Sequence, residues 1–139
     1  MIRTLGSIAA ATTLTACWGA PPDEEILNGL CVDLITGDER ILQDIAGESG
    51  TDLAGFCACY AQTILSDPDK TALHKDAIGA MVEARKDSNL GVEDAAEYVG
   101  SLIEAGEIDT FTERQLDSTG RDYQNVSEDM AAEGGVCPV

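Results

Sequence analysis

The chain has 139 residues, 44% hydrophobic and 24% charged, with a formal net charge of −18. That is enough apolar residue for one domain with a modest core and too much for a disordered chain. Acids run from Asp23 to Glu133 rather than forming a tail, which argues against a nucleic-acid backbone or an anionic lipid surface as partner, since both need clustered Lys and Arg; such a surface attracts a cation or a basic protein, and the plainer reading is that it keeps a small exported domain in solution.

The first residues, MIRTLGSIAAATTLTAC, read as a targeting segment. Arg3 supplies a positive start, and Leu5 to Leu14 form an apolar run too short to span a bilayer. Leu14-Thr15-Ala16-Cys17 then resembles the lipobox of bacterial lipoproteins. The resemblance covers residues 1–17 alone. It implies cleavage before Cys17, removal of residues 1–16, a diacylglycerol on the Cys17 sulfur and a body held at a membrane on the periplasmic side. An ordinary cleaved signal needs another cut site, and cutting after Ala20 would place bulky Trp18 at −3 and Pro21 at +1. Trp18, in place of the usual retention Asp after the lipidated cysteine, points to the outer rather than the inner membrane. Five cysteines is an odd number for an exported chain; with Cys17 lipidated, the other four make two pairs that an oxidising compartment preserves. Residues 17–22 are the lipidated cysteine and a short tether, and its five residues after Cys17 reach about 17 Å at full extension, so the acidic domain of residues 23–139 is expected close to its membrane.

From Asp23 to about Thr36, Leu27, Leu30, Cys31, Leu34 and Ile35 make one helical stripe, with three acids in the first turn where the helix dipole favours them. Asp38 to Ala46 is a second short helix carrying Ile41, Leu42 and Ile45, and a turn follows over residues 47–50. The central helix is expected to start at Ser49, with Asp52 in a capping-box-like position, and to run to about Leu65. It carries Cys57 and Cys59. At about 100° per residue the two point roughly 200° apart, so Cys57 falls with Leu53, Phe56, Tyr60, Ala61 and Ile64 and looks inward, whereas Cys59 falls with Asp52, Gln62, Thr63 and Ser66 and looks outward.

Asp67 and Pro68 cap and open a fourth helix, from Asp69 to about Lys86. Its small-residue face, with Ala77, Ala80, Met81 and Ala84, suits a close helix contact. Asp67-x-Asp69 lacks the glycine and glutamate of a calcium loop, which would fall at Ala72 and Ile78. Lys70, Lys75, Arg85 and Lys86 crowd this one helix. Lone His74, at the border of the apolar face, reads as a half-buried packing residue, with pH sensing as the sharper alternative. Val92 to Ala105 is a fifth helix stopped at Gly106. A short sixth opens with a capping box at Thr110 to Glu113 and ends near Gly120, and Asp122 to Glu133 is a last, weak, polar helix before the glycine-containing tail that carries Cys137. No strand pattern and no internal repeat is present.

The expected fold is all-α: a single compact domain of five or six short helices stapled by two disulfides. Divergent Cβ vectors rule out a Cys57–Cys59 bond. Cys31 and Cys57 both lie in apolar stripes and are expected to pair in the core, leaving Cys59 on the polar face for Cys137. A metal site built from these four cysteines is the alternative, disfavoured because Cys57 and Cys59 cannot chelate one ion together. With one histidine, no nucleophile elbow and no phosphate-binding glycine loop, the sequence offers no catalytic residue, cofactor site or metal ligand set. The expectation is a lipid-anchored, periplasm-facing acidic interaction module. One alternative is an immunity- or inhibitor-type protein that neutralises a basic toxin or hydrolase. The other is a small hydrolase or ligand carrier, which would need a deep pocket lined by acids or by Met81 and Tyr60.

Overall fold

The computed structural model describes residues 22–138. Among them are six helices and no strand: α1 (Asp23–Ile35), α2 (Glu39–Asp44), α3 (Leu53–Leu65), α4 (Pro68–Ser88), α5 (Val92–Glu104) and α6 (Glu113–Ala132), with a single π-helical turn, Ile45–Ser49, continuing α2. The all-α fold with two disulfides stands as the sequence predicts.

Starts and stops follow local chemistry. Asp52 caps α3 by accepting from the Gly55 amide at 2.8 Å, and Asp67 caps α4 by accepting from the amides of Asp69 and Lys70. The expected start of α3 at Ser49 is therefore corrected. Ser49 closes the preceding π turn, fully buried, and its hydroxyl shares a 2.6 Å hydrogen bond with Ser127 of α6. The capping box of α6 likewise begins at Thr112, paired with Gln115, rather than at Thr110. Asp38 serves two helices at once. One carboxylate oxygen accepts from Ile41 in α2 and the other from Val92 at the start of α5, whose own N-cap is a glycine. Burial pushes the Asp38 carboxyl up, but the two amides and the charges of Arg85 and Arg40 outweigh it and hold the group below its ordinary value.

The short sixth helix and the weak last helix are one continuous element. Leu116, Thr119, Tyr123, Val126 and Met130 recur at helical spacing along α6; Leu116, Thr119, Val126 and Met130 are buried and Tyr123 partly so. Gly120 stands exposed at the edge of that stripe, where an added Cβ would meet nothing within 4 Å. A glycine in a helix interior costs about 1 kcal/mol relative to alanine, too little to break a helix held by such a stripe.

The core has two lobes. In one, α1, α3, the π turn and the C-terminal half of α6 pack around Leu27, Phe56, Tyr60 and Ile64; in the other, α4 and α5 pack with Leu34, Phe111 and Leu116. The small residues of α4 do their expected work: Ala77 is fully buried, and α4 lies along α1.

Both disulfides join the expected partners. Cys31–Cys57 ties α1 to α3 with a Cα separation of 5.6 Å, and Cys59–Cys137 ties α3 to the tail at 5.3 Å. The outward assignment of Cys59 needs correction, since it is 2% exposed. Its neighbours Asp52, Gln62, Thr63 and Ser66 are exposed as expected, but the tail covers the cysteine itself. Gly134 and Gly135, at φ +67° and +89°, make that return possible, and the Gly135 amide donates to Met130 O at 2.8 Å. A side chain at Gly135 would collide with the Gly50 carbonyl, so the turn needs glycine for space as well as for φ.

Candidate functional site

Two features of the bundle gather chemistry. The first is internal. Tyr60 of α3, His74 of α4 and Asp122 of α6 form a chain of hydrogen bonds. The Tyr60 hydroxyl meets His74 Nδ1, His74 Nε2 lies 3.0 Å from Asp122 Oδ2, and Lys70 Nζ donates to Asp122 Oδ1 at 2.7 Å. With Asp122 ionised as the acceptor, Nε2 carries the hydrogen and Nδ1 accepts from the phenol. The expectation of a half-buried histidine is thus corrected to one with no exposed surface. Burial lowers its pKa, against the hydrogen bond and charge of Asp122. Burial and the Asp122 charge both push the Tyr60 phenol up. A tyrosine 2% exposed and held protonated is no nucleophile. These bonds tie α3, α4 and α6 together.

The second feature is a groove of about 1180 Å³, walled by α2 with its π turn, by α5 and by α6. Its apolar lining is Leu34, Ile35, Ile41, Ile45, Ile78, Met81, Val92, Ala96 and Leu116, of which all but Ile41, Val92 and Ala96 are buried and form its floor. Its lining carries eight carboxylates, Asp44, Glu48, Glu93, Glu97, Glu104, Glu113, Asp117 and Glu128, against two bases, Arg40 and Arg121. Arg40 is engaged by Glu93 at 2.9 Å, a bridge from α2 to α5. Burial first, and then the charges of Asp44, Asp38 and Glu48, push the phenol of Tyr123 up to about 12.

Compared with known protein families, with characterised proteins and with solved structures, the chain matches none of them. Its sites are read from their own chemistry.

The residues singled out in the sequence divide between these places. Met81 lines the groove, whereas Tyr60 does not and lies in the core; of the two linings expected for a hydrolase or carrier, acids or Met81 with Tyr60, the open groove has the acids and Met81 without Tyr60. Cys31, Cys57, Cys59 and Cys137 are all in disulfides and have no free thiolate to offer a metal, and among the described residues no three His, Cys, Asp or Glu side chains converge on a metal position. Asp67 caps a helix. Cys17 lies outside the described residues. Asp122 and Tyr123 were not expected to matter; both sit in the segment read as weak and polar, and each acquires its role from an element distant in sequence.

Proposed function

We propose that this protein is a lipid-anchored, periplasm-facing interaction module that captures a basic protein partner on its acidic face. The observation that carries the reading is the groove: open, apolar at the bottom, and walled by eight carboxylates against two bases. No histidine or cysteine lines it, and carboxylates around an apolar bottom are the groups that hold a basic, partly apolar partner. The anchor is supported by the order of charge, apolar run, box and Cys17, and by the even number of cysteines left once Cys17 is set aside. Two acyl chains hold a protein at a membrane far more firmly than one, which binds only marginally. An immunity- or inhibitor-type role is the same reading with a toxin or hydrolase as the basic partner.

Crosslinking in intact cells, followed by isolation of the protein from membranes, tests both halves. The wild-type chain should carry palmitate label and bring down a basic partner. Cys17→Ala should lose the label and leave the membrane fraction. Unchanged membrane association of Cys17→Ala would refute the anchor, and recovery of no protein partner would refute the module.

A further inference from the structure

The ion pairs of this domain leave one region unneutralised. The bases of α4 are used within the chain. Lys70 pairs with Asp122, Lys75 with Asp23 at 2.7 Å and Lys86 with Asp33 at 3.6 Å, while Arg85 donates to the carbonyls of Leu34, Thr36 and Leu90. Asp23, Asp33 and Asp122 all lie outside the groove. Among the described residues, Glu93 is the one groove carboxylate paired with a base of this chain. The other seven make no ion pair within the described residues, and Arg121 is the one further base among them around the apolar floor.

An occupant that satisfies both surfaces has an apolar stripe flanked by cations. At about 1180 Å³ the groove is larger than the roughly 300–1,000 Å³ typical of small-molecule pockets, and it is open along one side, which suits a segment of polypeptide. Its walls are helices, so an added helix would pack by the ridge-and-groove interdigitation that already holds the bundle.

We infer that the groove between α2, α5 and α6 receives a lysine- or arginine-rich amphipathic helix of a partner protein, apolar stripe on the floor and cations at the carboxylate rim. The inference rests on the interaction-module reading and names the recognition mode, helix in groove. Glu48, Glu97 and Asp117, one from each wall and all exposed, take the partner's cations. Of the charges that, after burial, raise the Tyr123 phenol, Asp44 and Glu48 line the groove.

The test uses the protein expressed from its full sequence and a synthetic 18-residue leucine–lysine peptide in amphipathic order. The same composition scrambled, and spermine, serve as probes of charge alone. The amphipathic peptide should bind, and amide shifts should concentrate at Gly100 and Gly120, both in the groove lining. Glu48→Lys/Glu97→Lys/Asp117→Lys should weaken binding at least about tenfold, since removing charge complementarity acts directly on association. The matched reversal Glu25→Lys/Asp76→Lys/Glu83→Lys, at exposed sites outside the groove, should change it less than about twofold, because charges beyond a Debye length of about 10 Å are screened. Equal affinity for the scrambled peptide or spermine, equal loss in the two triple variants, or shifts away from the groove would overturn the inference. Failure of the peptide to bind likewise overturns the helix-in-groove mode alone, because the module reading stands or falls on recovery of a crosslinked partner from cells.

Discussion

His74 shows how much one residue's environment depends on contacts that its sequence neighbours do not reveal. Its position at the border of an apolar stripe places it half inside the core. Asp122, 48 residues later, supplies the acceptor that lets it go fully inside. The chemistry sets a pH dependence. Burial holds the imidazole below its ordinary 6.5 despite the pull of Asp122, so the unfolded chain binds that proton more readily. Stability from this group is complete above about pH 6.5 and declines as pH falls below it. Burial pushes the Asp122 carboxyl up, but the hydrogen bonds of Lys70 and His74 outweigh it and hold the group below its ordinary 3.8. Its share is kept until the pH falls below that value and is then lost. The thermal unfolding midpoint should be level above neutrality, fall through mildly acidic pH, and fall again in strong acid. In His74→Leu the first descent should disappear, and calorimetry across pH reads this directly.

At the level of the element, helix boundaries set by a capping side chain were legible and those set by tertiary contact were not. Asp67 and Pro68 announce α4 unaided. Ser49 looks like a cap but is drawn into the core by Ser127, 78 residues away. The merger of the last two helices was legible in principle, because Leu116, Thr119, Tyr123, Val126 and Met130 keep helical register across Gly120; reading the glycine as a stop overvalued its cost. The groove was out of reach of the sequence, since its walls are three amphipathic helices whose acids line up only after packing. The glycines yield a second prediction. Gly29 of α1 and Gly120 of α6 stand where an added Cβ meets nothing. Gly29→Ala and Gly120→Ala should each stabilise the fold by about 0.5–1 kcal/mol, since alanine lowers the entropy of the unfolded chain and favours the helix. Urea denaturation checks it through a raised midpoint at unchanged slope; a lowered midpoint would mean that the backbone at that site is not helical.

Across the whole molecule the covalent plan is two rings in tandem, joined through Ala58 alone. The divergence of Cys57 and Cys59 on one helix excludes a bond between them, and the apolar stripes that carry Cys31 and Cys57 choose between the two pairings left; that much the sequence carried, whereas the burial of Cys59 required knowing that the tail doubles back. Cys31–Cys57 spans 26 residues and Cys59–Cys137 spans 78, which the loop-entropy model converts to about 3.5 and about 4.5 kcal/mol. Together they rival the stability of a whole domain, about 5–15 kcal/mol. Complete reduction should therefore unfold most of the helix at 37 °C, measured by far-ultraviolet circular dichroism, and retention of full helicity would show that packing alone suffices. The larger ring has another effect. It encloses α4, α5, α6 and every loop between them, so a protease that severs one exposed connection, such as residues 105–110, releases nothing. The two pieces stay linked through Cys59 and Cys137, and the chain can outlast a first proteolytic cut.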